Sequence, residues 1–232
     1  MRSTRLLLTT LLAGTALAAP AQAAFPGANG GFAYEVLTGG IRTAASDGSG
    51  DTAIVAKGNQ MSYSPDGRSL VYVGRSGTAG VWTAAADGSG KRQVLDPATT
   101  KLDGHATYLT FDPRWSPDGK HIVFTALYET RVEGGEDGEV DEHFRVATIG
   151  ADGRGLTVVR PGASPSWAPN GKRIAYIRHN GISTVRTDGT ERKQLLAQSS
   201  LFRDHLDYAP DGLRFHMRLP LPRPAGIPGS PR

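Results

Sequence analysis

Short apolar runs alternate along the chain with turns rich in Asp, Gly and Pro. Three of these runs begin with a basic residue and continue with β-branched and aromatic residues: RSLVYVG at 68–74, KHIVFTA at 120–126 and KRIAYIR at 172–178. Such side chains favour an extended backbone because they pack well on a pleated surface. The pattern therefore predicts short β-strands separated by tight turns.

Two turn sequences recur between the runs. The first contains Pro and reads YSPDG at 63–67, WSPDG at 115–119, WAPNG at 167–171 and YAPDG at 208–212. The second is an Asp-Gly turn that follows a Thr-bearing run, at Asp47, Asp87, Asp152 and Asp188. Pro fixes φ at the first corner, Asp or Asn bonds its own backbone, and Gly accepts a positive φ at the exit. Because the two turns alternate, the chain is an internal repeat.

One repeat unit contains four strands: an aromatic-ended strand, the Pro turn, a β-branched strand, a connection, a Thr-bearing strand, the Asp-Gly turn and a last strand. Four short antiparallel strands in a unit of about 41 residues are typical of a propeller blade. We therefore predict an all-β fold, a β-propeller of about four four-stranded antiparallel blades. Complete blades are expected at about 60–95, 110–160 and 164–197, with insertions at about 97–109 and 129–143.

The two ends of the repeat region are incomplete. The first unit, from Asn29, supplies three strands, and a lone first strand near Asp204–Tyr208 follows the last complete blade. We expect this lone strand to pair with the first unit at Gly31–Val36 and close the ring. If it does not, the propeller is open and truncated. The propeller domain is predicted over 24–212.

The sequence after the last Pro turn departs from the repeat. Phe215, His216, Met217 and Arg218 stand where the other copies have apolar β-formers, and a Pro-rich segment ends the chain. Pro is poorly compatible with a strand because it cannot donate to the ladder. We predict that residues 213–232 are a disordered tail, without amides protected from hydrogen exchange.

The aromatic residue two positions before each Pro is expected to be structural. These residues are Tyr63, Trp115, Trp167 and Tyr208. A large flat side chain between neighbouring blades buries much apolar area at little entropic cost. Since a repeated residue serves every blade alike, packing explains it better than ligand stacking.

The N-terminal residues 1–23 have the layout of a secretory signal peptide. Arg2 and Arg5 precede an apolar run that ends near Ala19, and Ala21-Gln22-Ala23 offers a cleavage site. The run is shorter than the roughly 20 residues that a helix needs to cross a bilayer. We therefore expect an exported protein, periplasmic or extracellular, without a transmembrane segment after cleavage. The chain contains 0 Cys, so disulfides cannot stabilise it.

The formal charge of +4 comes from the ends of the chain. Six Arg lie in the signal peptide and the C-terminal segment: Arg2, Arg5, Arg214, Arg218, Arg223 and Arg232. Without them the body has fewer basic than acidic residues. Its net charge therefore gives no reason to propose nucleic acid as a partner.

The repeat resembles that of a known family. WSPDGK followed by IVF, and then a hairpin ending in ADGSG or ADGRG, resembles the WD-like propeller repeat of the TolB family over about 25–212. AFPGANGGFAY after the cleavage site is similar to the opening of exported actinobacterial members. The resemblance implies a binding platform for a protein, a cell-envelope component or a small glycan. Family members usually have six or more blades, and this chain has fewer.

Catalysis finds little support in the sequence. There is no GxSxG elbow for a nucleophilic Ser, and a Cys nucleophile is excluded. We therefore predict a non-catalytic protein. One alternative is a propeller lyase or hydrolase that acts on polysaccharide through His and carboxylates in the channel. Another is a degenerate, truncated propeller without an independent function.

Two groups of residues are candidate sites. Polar residues of the inserted and terminal segments are candidates for binding, if they converge on one rim: Asp103, His105, His143, Asp204 and His205. No cofactor is expected, and calcium is the alternative because carboxylates are its preferred ligands. The carboxylates in question are Glu133, Glu136, Asp137, Glu139, Asp141 and Glu142. They lack the spacing of an EF-hand, so a solvated connection is the simpler interpretation.

Overall fold

The computed structural model describes residues 31–218 except 38, 76, 78, 108, 134–138, 180 and 198–203. The expected signal peptide and residues 219–232 of the expected tail lie outside the described residues. The described part consists of strands, turns and bends, and it includes no helix able to cross a membrane.

The strands group into antiparallel sheets, here called blades I to V in chain order. Blade I consists of β1 (Phe32–Glu35), β2 (Ile41–Ala44) and β3 (Thr52–Val55). Blade II consists of β4 (Gly58–Tyr63), β5 (Ser69–Gly74), β6 (Gly80–Ala85) and β7 (Arg92–Leu95). A small hairpin follows, β8 (Lys101–Leu102) and β9 (His105–Ala106).

The remaining blades continue the pattern. Blade III consists of β10 (Leu109–Trp115), β11 (His121–Arg131), β12 (Val140–Gly150) and β13 (Thr157–Pro161). Blade IV consists of β14 (Ala163–Trp167), β15 (Arg173–Arg178), β16 (Gly181–Arg186) and β17 (Lys193–Leu196). Blade V contains β18 (Asp204–Tyr208) and β19 (Phe215–Arg218). The predicted all-β fold with four-stranded antiparallel blades is confirmed.

The second strand of each complete blade is buried on both faces because it lies between two other blades. In β11, Ile122 and Phe124 pack with Val71 of blade II, while Val123 packs with Ile174 of blade IV. Burying one such side chain stabilises the fold by roughly 1.5–3 kcal/mol. This double burial explains why the second strands read as continuous apolar runs rather than as an alternating pattern.

The aromatic residue before each Pro turn packs between consecutive blades, as predicted. Trp115 packs against the apolar cluster of blades II and III, and Trp167 against that of blades III and IV. Tyr63 and Tyr208 do the same for blades I and II and for blades IV and V. These side chains therefore join neighbouring blades.

The Pro turns also contact one another from blade to blade. Pro65 lies beside Gly119 of the next turn, and Pro117 lies beside Gly171, each Pro Cδ being 3.9 Å from where a Cβ would stand on the Gly. The glycines have φ of 68°, a left-handed conformation that other residues adopt with strain. The repeated turn thus serves both its own corner and the contact with the next blade.

Two expectations about the C-terminal end are wrong. First, β18 pairs with β19, and among the described residues it does not pair with β1. Second, residues 215–218 form a strand, so the predicted tail does not begin at 213. The Pro turn favours a local hairpin over a long-range closure, and Phe215 packs on Tyr208 with ring centroids 4.4 Å apart. The described part is therefore a propeller without a strand clasp between its first and last blades.

The two insertions form β-structure. The first contains the β8–β9 hairpin, whose turn residues Asp103 and Gly104 both have positive φ, 51° and 85°. The second lengthens β11 and β12 to 11 residues each. Its acidic residues were expected in a loop, but residues 129–131 and 140–143 are strands because the ladder of blade III continues without a break.

Candidate functional site

An open cleft of about 1630 Å³ lies where the Pro turns of blades II to V come together. Its walls include the ends of the four innermost strands, β4, β10, β14 and β18, and the turns that follow them, together with residues of β6 and β7. A ring of four prolines from these turns lines it: Pro65, Pro117, Pro169 and Pro210. The cleft is a concave feature that the repeat builds from equivalent positions, which makes it the candidate site.

A bulge in each innermost strand precedes the cleft. The pairing register shifts around Gln60, Asp112 and Ser164, three non-Gly residues with φ near 50°. Gln60 Oε1 accepts the Asp112 N–H at 3.0 Å, and the Ser164 hydroxyl donates to Asp112 Oδ2 at 3.4 Å. Bulges bend strands and redirect the side chains that follow. Here they link successive blades just ahead of the residues that line the cleft.

The residue before each aromatic differs in chemistry from blade to blade. Ser62, Arg114, Ser166 and Asp207 occupy it in blades II to V, and all four line the cleft. Arg114 Nε lies 3.6 Å from Asp207 Oδ1, so an ion pair connects blade III with blade V past the small Ser166. The Asp207 side chain is 53% exposed, and such a pair contributes little to stability.

The aspartates of the Pro turns that line the cleft form hydrogen bonds within their own turns. The Ser64 hydroxyl donates to Asp66 Oδ1 at 2.6 Å, and the Ser116 hydroxyl donates to Asp118 Oδ1 at 2.5 Å. These hydrogen bonds hold the pKa of Asp66 and Asp118 below the ordinary range of an aspartate. Both carboxylates therefore stay ionised at neutral pH, with one oxygen satisfied inside the turn.

Arginines supply the remaining charge of the cleft. Arg68 and Arg92 line it together with Arg114. Arg92 donates to the backbone oxygen of Asp152 at 2.9 Å and to that of Ala151, and so joins blade II to blade III. The cleft therefore offers guanidinium groups, hydroxyls and aromatic surface to a ligand. Among the described residues that line it there is no His.

Three of the five predicted binding residues come together, but not in the cleft. His105 and His143 lie against the ring of Tyr128, each with ring centroids 4.9 Å apart and with interplanar angles of 7° and 24°. Asp103 accepts a hydrogen bond from the Tyr128 hydroxyl. β11 begins at His121, directly after the Pro turn that lines the cleft. Tyr128 is seven residues further along this strand, a distance of about 20 Å.

The polar groups around Tyr128 satisfy one another. Arg145 Nε donates to Asp103 Oδ2 at 2.7 Å, and Arg145 Nη2 donates to the Tyr128 hydroxyl at 2.6 Å. That hydroxyl donates to Asp103 Oδ2 at 3.3 Å, and His143 Nε2 shares a 2.8 Å hydrogen bond with the Thr130 hydroxyl. Burial raises the pKa of Tyr128. The cluster fixes the β8–β9 hairpin onto blade III.

The sequence interpretation missed Tyr128, Arg145 and the cleft residues. Tyr128 stands directly opposite His143 in the β11–β12 ladder, a register that becomes visible only if residues 129–143 are treated as a hairpin. Asp204 and His205 lie in β18, and their side chains are outside the described part of the structure.

The acidic residues do not form a metal cluster within the described part of the chain. Asp141 stands opposite Thr130 and Glu142 opposite Glu129, so the two carboxylates lie on different faces of the ribbon. Glu133 follows β11 and Glu139 precedes β12. Glu136 and Asp137 lie outside the described residues.

Comparisons with known proteins show the fold. No protein-family model matches the sequence, and no curated protein matches it. The structure of a putative TolB from Agrobacterium tumefaciens superposes with a TM-score of 0.57 at 16% identity, over 82% of this chain and 70% of that one. A chain of the nidogen/laminin complex gives 0.51 at 13% identity, over 72% of this chain and 60% of that one.

A puromycin hydrolase gives a TM-score of 0.50 at 16% identity, over 76% of this chain and 29% of the hydrolase chain. This chain thus spans slightly less than two thirds of the nidogen/laminin chain and less than one third of the hydrolase chain. At these identities the likeness concerns architecture. It supports the propeller fold, with TolB-like proteins among the structural neighbours.

Proposed function

We propose that the protein is a non-catalytic binding propeller, and that its cleft holds part of a protein or of a cell-envelope component. One observation carries the proposal: the four equivalent positions that line the cleft differ in chemistry, while the backbone hydrogen bonds of the Pro turns beside them repeat. Two are Ser, and the other two, Arg114 and Asp207, form an ion pair across the cleft. A repeat that needed only its fold would have no reason to place opposite charges there.

Binding fits the cleft better than catalysis. General acid–base catalysis requires a group positioned to exchange a proton near the operating pH, and His does this most often. The described lining of the cleft carries Arg, Asp, Ser and aromatic residues instead. The two imidazoles around Tyr128 are held in stacking contacts about 20 Å away. A polysaccharide lyase or hydrolase would have to act through the carboxylates of the cleft, two of which, Asp66 and Asp118, are hydrogen-bonded inside their turns.

The proposed setting is the periplasm or the cell exterior. The N-terminal sequence supports export, and the TolB-like neighbours fit a binding role there. The mixed charge of the cleft suits a polar segment with both an acidic and a basic group, since Arg114 and Asp207 could each exchange their partner for one on the ligand. The near-neutral net charge of the body gives no reason to propose nucleic acid as the partner.

Site-specific photocrosslinking in the producing cell tests the proposal. A benzophenone amino acid at Ser62, inside the cleft, is expected to give a discrete adduct with one partner. The same amino acid at Lys193, an exposed residue of the outermost strand of blade IV, is the matched control and is expected to give none. Adducts of equal yield from both positions, or none from Ser62, would contradict a binding role of the cleft.

A further inference from the structure

The β11–β12 hairpin extends beyond the rest of the propeller. Both strands contain 11 residues, whereas β15 and β16, their equivalents in blade IV, contain 6 each. Pairing with β10 ends at Leu127, and pairing with β13 ends at Arg145. The pairs from Leu127–Phe144 to Arg131–Val140 form a protruding two-stranded ribbon, called the arm below.

The two faces of the arm have different surroundings. Tyr128 and His143 lie on the face that the β8–β9 hairpin covers. The opposite face continues the side of blade III that packs on blade IV, as Val123 and Val146 do. The strands of blade IV are shorter, and among the described residues they leave apolar side chains on this face of the arm partly uncovered. Phe144 is consequently 38% exposed and Val140 is 42% exposed.

Two carboxylates lie on the same face, between these apolar side chains. Glu129 stands directly opposite Glu142, and like charges at facing positions of a ribbon destabilise it. Neither Glu forms an ion pair with a described residue, although Arg131 lies on the same face. Leu109 extends the apolar surface across β10 and is 39% exposed. The face thus combines uncovered apolar surface with unpaired negative charge.

We propose that this face of the arm docks a basic protein segment that carries apolar side chains. Such a segment would place its cations between Glu129 and Glu142 and cover Phe144. A second copy of the chain fits worse, because it would bring the same two carboxylates against each other. The proposal is independent of the cleft, which lies at the other end of blade III.

Fluorescence anisotropy with labelled peptides tests the proposal on the full chain. A peptide of alternating lysine and leucine is the probe, and peptides of alternating glutamate and leucine or of lysine and serine are its controls. Binding of the lysine–leucine peptide, weakened by salt and absent or much weaker for both controls, is expected. Equal binding of either control peptide, or none of the probe, would overturn the proposal.

Variants of the arm locate the binding. Glu129→Gln with Glu142→Gln is expected to raise Kd about fivefold, and Phe144→Ser is expected to do so by a similar factor, about fivefold. Asp141→Asn is the matched control, because it removes a carboxylate from the other face and should change Kd less than about twofold. Equal weakening by Asp141→Asn, or self-association of the chain that Phe144→Ser abolishes, would show that the proposed occupant is wrong.

Discussion

Replacing Ser116 by Ala removes a hydroxyl that holds the Pro turn of blade III. The hydroxyl donates to Asp118 Oδ1 at 2.5 Å and accepts the His121 N–H at 2.9 Å, and Ser116 is buried. The turn keeps its backbone bonds, from Ser116 N–H to the His121 carbonyl and from Gly119 N–H to the Ser116 carbonyl. The variant therefore isolates two side-chain hydrogen bonds.

We expect the free energy of unfolding to fall by about 2 kcal/mol. One of the two lost bonds has a charged acceptor, and loss of the other leaves the His121 N–H without its side-chain partner. For a domain of this size, that loss lowers Tm by about 4–8 °C. The equivalent turn of blade IV contains Ala168 and Asn170 and still forms both backbone bonds. Ser116→Ala should therefore unfold cooperatively, and Ala168→Ser, the reverse variant, should gain less than about 1 kcal/mol.

The effect of Ser116→Ala on stability should depend on pH. The Ser116 hydroxyl lowers the pKa of Asp118 in the folded state, so its contribution to stability is present above the unfolded value of about 3.9. That contribution is lost as the pH falls through the lower, folded pKa. The difference in unfolding free energy between wild type and Ser116→Ala should thus be larger at pH 7 than in strong acid. Chemical denaturation at several pH values measures it, and a difference below about 0.5 kcal/mol, or one that acid does not reduce, would refute the reasoning.

Three other predictions concern packing, the Tyr128 cluster and the C-terminal hairpin. Trp115→Ala should cost about 3 kcal/mol in chemical denaturation, because it opens the contact between blades II and III; a cost below about 1 kcal/mol would contradict it. Tyr128→Phe should speed hydrogen exchange in the β8–β9 hairpin, because Asp103 and Arg145 lose the hydroxyl between them; unchanged exchange would count against the anchor. Amides of Phe215–Arg218 should exchange slowly in the wild type, as expected of a paired strand; rapid exchange would favour the disordered tail.

Features set by local sequence were predictable. The Pro and Asp-Gly turns specify their own corners, and the apolar runs after them have strand propensity whatever surrounds them. This is why the strands of the complete blades and the packing role of Trp115 and Trp167 followed from the repeat alone. Part of the polar cluster around Tyr128 was also predictable, because Asp103, His105 and His143 are polar residues of the inserted segments.

Features set by long-range pairing were not predictable. Whether β18 pairs with β1 or with β19 depends on the competition between the edge strand of blade I, distant in sequence, and a local hairpin. The residues of β18 are compatible with both pairings. The arm was missed because residues 129–143 are charged and rich in Gly, although the ladder of blade III extends through them. The Arg114–Asp207 pair joins two blades that flank a third, a proximity that no local pattern encodes.

The central claim is that a repeated scaffold presents non-repeated side chains for binding, and one double variant tests it directly. Arg114→Ser with Asp207→Ser makes all four equivalent positions Ser, as Ser62 and Ser166 already are. The measurement is the yield of the photoadduct from the benzophenone amino acid at Ser62 in this background, with Tm as the check on folding. We predict that Tm changes by no more than about 4 °C while the adduct disappears. Retention of the full adduct yield in the folded double variant would contradict it.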